Sequence, residues 1–316
     1  MTPRPDLALA ELIGKRLTIR LRQRSGGYRD IVGYLETPTS LRNRNGELIY
    51  FDQNEIKVWR EIIAPPDRAG KGAPASIRIR ELDNIFNLTW QATEQVSLGK
   101  WLMRSSGKYT MRANSVLPQG LGPFGDPGLP IEQGLAKVVE FYNAREQEPI
   151  IQISFPIHQS LDDELAARGW VEKIKALIMV TDIVKKEIEI ANGYSIEISD
   201  TCSDEWLSVQ NDFPVREIML RTPALYGAIR FEKNLIAVSR AARTAKWGVI
   251  SRLFVEQGHR GKNLGQQLLS ALLNQCLELG TTKSGLQVDS KNIIARQIYE
   301  DMGFVIHHNF SYRGIT

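Results

Sequence analysis

The chain has 316 residues, 42% hydrophobic and 24% charged, which is enough for more than one core at the usual ~100–150 residues per domain. Its longest apolar runs, such as residues 174–182, are broken by charge and fall short of the ~20 residues that cross a bilayer, and charges after Met1 precede any leader-like apolar stretch, so a cytoplasmic protein without a membrane partner is expected. A formal charge of +4 with a pI of about 9.0 suits an anionic ligand and is too mild to imply nucleic acid, while two distant cysteines, Cys202 and Cys276, argue against a disulfide framework and a zinc site and read as small apolar fillers.

Residues 1–65 read as short strands. Leu17, Ile19 and Leu21 alternate with Arg16, Thr18, Arg20 and Arg22, the period-2 pattern of a strand with one buried face. Further strands are expected over 31–35, over 48–51 after an Asn45-Gly46 hairpin signal, and over 56–63. Strands this short and evenly spaced predict a small β-barrel of SH3-like type. Eleven Lys or Arg against eight Asp or Glu give the segment a net charge of +3, modest for nucleic acid. Tyr28, Tyr34, Tyr50, Phe51 and Trp59 are aromatic candidates for its core or for a peptide groove. Residues 66–76, rich in Pro, Gly and charge, read as a linker.

From 77 to 193 helices and strands alternate in a mixed α/β lobe. Ile85, Leu88, Thr89 and Ala92 predict an amphipathic helix, 109–117 a strand, and Leu135, Val138, Val139 and Tyr142 another helix; 150–155 and 174–180 are apolar runs of strand length. Gly120-Leu121-Gly122-Pro123-Phe124-Gly125 matches the dinucleotide fingerprint, but residues 126–130 intervene before any helix, and Pro123 and Pro127 lack N–H donors, so it reads as a loop. A second α/β stretch runs from 194 to 316, with strands near 224–230, 235–240 and 247–255.

The chemistry concentrates between Trp247 and Phe304. An apolar strand runs into the turn 256–265, and the following helix carries Leu264, Leu268, Leu272 and Cys276 on one stripe beside Leu269, Leu273 and Leu277. A glycine-bearing turn at a helix start leaves backbone N–H groups without intrahelical partners, and the helix dipole favours negative charge there. Arg260 and Lys262 add full charges, which outlines a pyrophosphate cradle. Downstream, the strand 285–288 leads to Asp289-Ser290-Lys291-Asn292, rich in N-cap residue types. The helix that follows has Ala295, Ile298, Tyr299 and Met302 on its apolar face, ends at Gly303, and Phe304 opens another strand.

Together these segments resemble the GCN5-related N-acetyltransferase (GNAT) superfamily. Its acetyl-CoA motif, Arg/Gln-x-x-Gly-x-Gly/Ala, is matched by Arg260-Gly261-Lys262-Asn263-Leu264-Gly265, and its Asn-x-x-Ala-x-x-x-Tyr-x-x-x-Gly-Phe by Asn292, Ala295, Tyr299, Gly303 and Phe304. One position departs: Asn263 stands where the family has its first glycine. Asn tolerates left-handed backbone better than other non-glycine residues, so the loop is expected to keep its shape. The run Arg112-Ala113-Asn114-Ser115-Val116-Leu117-Pro118, the helix 161–170 and the ending 307–313 are similar to actinobacterial acetyltransferases with an SH3-like N-terminal domain and two acetyltransferase-like lobes. The resemblance implies an α/β (α+β) fold of tandem GNAT-like lobes with mixed, mostly antiparallel sheets. Residues 1–65 would be the SH3-like barrel, 66–76 a linker, 77–193 a degenerate lobe without the phosphate motif, and 194–316 the acetyltransferase domain.

On that resemblance the chain transfers an acetyl group directly from acetyl-CoA, its co-substrate, to a primary amine on a small molecule or peptide, without a metal. Backbone groups of Leu253, Phe254 and Val255 would pair with the pantetheine arm and polarise the thioester. Arg260, Gly261, Lys262, Asn263, Leu264 and Gly265 would hold the pyrophosphate, Asn292 would lie near the pantetheine end, and Tyr299 would protonate the leaving thiolate. Asn292 also reads as a helix cap, and Tyr299 as core. The strand 247–255 holds no Asp or Glu, which leaves Glu205, Glu217, Glu232 or a carboxylate of the preceding lobe as the general base. His259 reads as a solvated loop residue; His307 and His308 lie in the terminal strand. A rival reading is a non-catalytic adaptor that senses acyl-CoA and binds protein or nucleic acid through its N-terminal barrel.

Overall fold

Alternating leucine and isoleucine in 17–21 produces what it predicts. In the computed structural model, which describes residues 9–23, 26–43, 47–62, 72–107 and 109–315, Leu17, Ile19 and Leu21 are fully buried while Arg16, Arg20 and Arg22 face out. The chain divides into two units, Met1–Asp67 and Arg68–Thr316. The first contains β1 (Arg16–Arg22), β2 (Tyr28–Thr37), β3 (Ser40–Arg42), β4 (Leu48–Tyr50) and β5 (Ile56–Glu61) in the order β4-β3-β2-β1-β5, all antiparallel. Leu12, Ile31, Leu35, Leu41 and Phe51 complete its core. Among the described residues no ladder joins β4 to β5, so the expected barrel is seen as a five-stranded antiparallel sheet without hydrogen-bonded closure. The Asn45-Gly46 hairpin signal and most of the expected linker lie outside the described residues.

The second unit begins with α1 (Ala75–Thr89), whose N-cap is Pro74, so helix starts inside the expected linker. There follow β6 (Glu94–Leu98), β7 (Trp101–Ser105), β8 (Leu117–Pro118), α2 (Ile131–Asn143), β9 (Ile150–Ser154), α3 (Gln159–Ala167) and β10 (Val171–Asp182). Then come β11 (Tyr194–Ser199), α4 (Asp204–Ser208), α5 (Arg216–Leu220), β12 (Ala224–Phe231), β13 (Asn234–Thr244), β14 (Trp247–Val255), α6 (Leu264–Glu278), β15 (Lys283–Asp289), α7 (Ile293–Asp301) and β16 (Val305–Gly314). The series β6-β7-β8-α2-β9-α3-β10 and β12-β13-β14-α6-β15-α7-β16 have the same order of elements. They are joined by their last strands: in the eight-stranded sheet β11-β12-β13-β14-β15-β10-β16-β9, β10 lies between β15 and β16, and β16 reaches β9. Only β14 and β15 pair in parallel in this sheet. β6, β7 and β8 form a smaller sheet that meets β9 through the parallel bridge Val116↔Ile151.

Helices cover both faces of the large sheet. Met179 packs under α6 and α7 with Leu269, Leu272 and Cys276, whereas its neighbours Ile178 and Val180 face α1 with Leu82, Ile85 and Phe86. A strand buried on both faces has no polar side, which is why 176–180 reads as a continuous apolar run. α6 sits close on β12 because Gly227 has no side chain: a Cβ there would lie 2.9 Å from Leu268 and Leu272. Cys276 is a buried core residue, and Cys202 packs at the edge of another cluster.

One local expectation fails for a physical reason. The strand expected over 109–117 is a set of turns, with strand only at Leu117–Pro118. Asn114 organises them: its carbonyl accepts from Ser106 N at 2.6 Å and its amide donates to Thr110 O at 3.1 Å, an alternative to a ladder that Asn side chains offer the backbone. β7 is buried along all five residues, and its Arg104 finds hydrogen-bond acceptors within the fold. Its guanidinium donates to Ser115 O, Ser115 Oγ, Gln152 Oε1 and Asn87 Oδ1, tying β7 to α1 and β9.

Candidate active site

β14 and β15 pair only from Trp247↔Lys283 to Ile250↔Leu286 and part beyond that point. Strands that separate leave backbone polar groups without ladder partners on their facing edges. A cleft of about 820 Å³ opens there between Ser251 to Val255 on one side and Gln287 to Asp289 on the other, with the first turn of α6 and the inner face of α7 as its walls. β14 is also bulged. Val238 pairs with Phe254 and Arg240 with Ser251, so two β14 residues oppose one on β13, and Arg252 takes a φ of 63°. Left-handed backbone at a non-glycine residue costs about 1 kcal/mol or more and persists only where surrounding contacts hold it. Here Gln210 Nε2 donates to Arg252 O at 3.1 Å, and the Arg252 guanidinium pairs with Asp212.

At the other end of the cleft the turn before α6 keeps its shape without the family glycine. Asn263 caps the helix with φ 57° and ψ 11°, the left-handed conformation expected of it. Gly261 has φ +77° and open space where a Cβ would be. The N–H groups of Asn263, Leu264, Gly265 and Gln266 find no acceptor among the described residues, and all four residues line the cleft. Gly265 is not a packing requirement, since a Cβ would meet only Leu253 and Val255 at 3.8–3.9 Å. What its missing side chain keeps open is the cleft. Together with the helix dipole, these amides make the turn favourable for negative charge.

The two cations of this turn behave differently. Arg260 lines the cleft, and its Nε donates to Val255 O at 2.9 Å. Lys262 instead turns to Tyr194, donating to its hydroxyl at 2.9 Å, and is not among the cleft residues. His259, expected in solvent, is half-buried: its Nδ1 lies 3.0 Å from the same hydroxyl and its ring packs on Phe231. Contacts with Tyr194 on β11 and Phe231 on β12 explain the burial, because the ring covers apolar surface those residues would otherwise expose.

α7 contributes the remaining pair. Asn292 Oδ1 accepts from Ala295 N at 3.0 Å, so the residue is a helix cap, and it also lines the cleft. Tyr299 is buried against Phe304 and Met302 and lines the cleft as well. Its hydroxyl makes no hydrogen bond among the described residues. Burial pushes its pKa up to about 12, which keeps the phenol protonated and able to donate.

None of the carboxylates considered from sequence reaches this space. Glu205 is held by Arg230 through two hydrogen bonds of 2.7 Å, and Glu217 and Glu232 are exposed elsewhere. Residues outside the acetyl-CoA motif and the Asn292 to Phe304 motif also line the cleft: Trp90, Thr110 and Arg112 from before residue 193, and Gln210 from after α4. The only local sign was Arg252, a charge in an otherwise apolar strand. His308 is buried on β16, with burial and then His307 holding its pKa down to about 3.

Comparison with known proteins places this geometry. Residues 76–313 match the family model described as "Probable histone acetyltransferase Rv0428c C-terminal". The chain is 28% identical over 240 residues to the protein called uncharacterized N-acetyltransferase YobR of Bacillus subtilis (strain 168), covering 72% of this chain and 94% of that one. Among solved structures, a GCN5-related N-acetyltransferase from Kribbella flavida superposes with a TM-score of 0.59 at 14% identity, over 75% of this chain and 95% of its own. A tandem GNAT protein from the clavulanic acid biosynthesis pathway gives 0.54 at 12% identity, over 80% and 89%. At these identities the two structures speak to the fold, an α+β GNAT-like arrangement of mixed, mostly antiparallel strands.

Proposed function

The chain belongs to the Rv0428c C-terminal family and is an N-acetyltransferase of GNAT-like fold, and from that premise we propose that it binds acetyl-CoA between β14 and β15 and passes the acetyl group directly to a primary amine. The observation that carries this reading is the run of four acceptor-less amides, Asn263 to Gln266, facing the cleft. Arg260, Gly261, Asn263, Leu264 and Gly265 hold the pyrophosphate, and Lys262 contributes charge from the outer side of the turn. Leu253, Phe254 and Val255 offer the freed edge of β14 to the pantetheine arm, whose amides need the same ladder partners that β15 gives up. Asn292 lies beside that arm with its Nδ2 available to donate. Tyr299 protonates the departing thiolate, which the buried cleft would otherwise leave as an unsolvated anion.

Residues 77–193 form a degenerate GNAT-like lobe and 194–316 the catalytic one, acting in the cytoplasm. Residues 1–65 form an SH3-like module that docks a protein partner. The adaptor reading is not favoured, since the chain belongs to an acetyltransferase family. No helix among the described residues is long and apolar enough to cross a membrane.

Isothermal titration with acetyl-CoA tests the central claim. A dissociation constant in the micromolar range is expected, and Gly265→Trp is expected to weaken it more than about 100-fold by filling the phosphate site, a loss of roughly 3 kcal/mol. Wild-type protein that fails to take up acetyl-CoA would remove the proposal.

A further inference from the structure

Arg112 is a cation for which the described residues supply no counter-charge. It lies half-buried in the turns before β8, its guanidinium 4.8 Å from the Trp90 ring centroid, and it makes no ion pair among the described residues. The charged groups around it are cationic too: Arg240, Arg104 and Arg252. Arg240 is fully buried and donates to Thr89 O and Met219 O, Arg104 donates to neutral groups with the buried Asp83 nearby, and Arg252 pairs with Asp212. Desolvation lowers the Arg112 pKa, Tyr312 works against it, and the neighbouring guanidiniums lower it further. A guanidinium does not shed its proton in the accessible pH range, so an anion seated beside it would relieve this cost, and the cleft's own carboxylates, Asp289 and Asp301, make no ion pair with it among the described residues. Arg112 and Arg252 line the same cleft as the α6 amides and Tyr299.

We infer that the acceptor is a small amine that also carries an oxyanion, a carboxylate or a phosphate, and that Arg112, steadied on the face of Trp90, binds that oxyanion. This rests on the acetyltransferase reading of the cleft and names its substrate class. Arg is the residue suited to the task because its fork matches two oxygens at once. The guanidinium of Arg112 has a second effect: where the amine binds beside it, it disfavours an ammonium and so shifts the bound acceptor toward the neutral amine, which eases the demand for a strong base. The ammonium releases one proton to solvent. The amine lone pair then forms the N–C bond to the acetyl carbon as the C–S bond breaks with its electron pair on sulfur. Tyr299 delivers a proton to that sulfur, and the second nitrogen proton returns to Tyr299 through water, leaving amide and free thiol.

The test uses the full chain with saturating acetyl-CoA and follows thiol release with β-alanine, 2-aminoethyl phosphate, propylamine, spermidine and a lysine-rich peptide. The first two distinguish carboxylate from phosphate. One of them is expected to exceed propylamine at least about 10-fold in kcat/KM, and Arg112→Met to lower that acceptor about 30-fold while moving propylamine less than about 3-fold and leaving acetyl-CoA affinity unchanged. If Arg112→Met lowers Tm markedly, Arg112→Lys replaces it, keeping the charge and losing the fork, with a loss of about 10-fold expected on the anionic amine alone. Equal or better turnover of propylamine, spermidine or the peptide overturns the inference, as does an Arg112 variant that slows all acceptors alike. Should no acceptor release thiol, titration of the two anionic amines into the CoA-bound chain decides: binding lost in Arg112→Met upholds the inference, and no binding overturns it. Acetyl-CoA uptake by the same preparation separates that outcome from failure of the acetyltransferase reading.

Discussion

Replacing Tyr299 by phenylalanine is expected to lower kcat on the order of 100-fold while leaving acetyl-CoA affinity within about 2-fold. The two effects separate because the ring and the hydroxyl have different roles. The ring packs on Phe304 and Met302, contacts that phenylalanine keeps, and the hydroxyl has no partner within the chain whose loss would disturb the fold. What disappears is a proton donor beside the leaving sulfur. With the phenol pushed up to about 12 by burial, Tyr299 stays protonated across the neutral and mildly alkaline range, so wild-type activity should not fall between pH 7 and about 10 through its ionisation. Steady-state kinetics with any accepted amine measure both quantities. A kcat within about 3-fold of wild type would reduce Tyr299 to a core residue.

The second large effect is on stability and lies in the first half of the unit. Asp83 is buried on α1; its Oδ1 accepts from Ser154 Oγ at 2.9 Å and from Gln152 Nε2 at 3.3 Å, while its Oδ2 has no partner. Desolvation outweighs these bonds and the nearby Arg104 and raises its pKa to about 7. Below pH 4 the group is protonated in both folded and unfolded chains. Between 4 and 7 only the folded chain holds the proton, so stability falls as pH rises, by about 1.4 kcal/mol per unit and roughly 4 kcal/mol in all. His158 and His308, pushed down by burial to about 4 and about 3, act in the opposite direction: they favour the fold above about pH 6.5 and cost stability as pH falls toward 4. Wild type alone would show the two trends partly cancelled. Comparison with Asp83→Asn isolates the first, because the histidine contribution is common to both proteins. Urea unfolding at pH 4.5, 6 and 8 should find the variant gaining on wild type with each step; a constant difference would mean that Asp83 ionises normally.

Much of this molecule is legible in its residues, and the parts that are share a property. Leu17, Ile19 and Leu21, the apolar stripe of α6, the capping of α7 by Asn292 and the left-handed turn at Asn263 each depend on neighbours a few positions away. What the residues do not disclose arises where a side chain answers to something distant. Arg104 is a buried charge on β7, and only the carbonyl of Ser115 and the amides of Asn87 and Gln152 explain how it is accommodated. Asn114 folds 109–117 into turns through bonds that a strand-like composition does not disclose. The five-residue helices α4 and α5 are too short to show a period.

For the site the same division holds. Amide geometry and helix polarity made the phosphate turn and the Asn292 to Tyr299 spacing readable from residue order, since both are properties of one turn and one helix. That β10 inserts between β15 and β16, and that Trp90, Thr110 and Arg112 wall a cleft built by strands more than a hundred residues later, was decided by folding alone. Strand pairing and the burial of charge are settled by non-local contacts, whose partners leave no spacing in the chain from which they could be read.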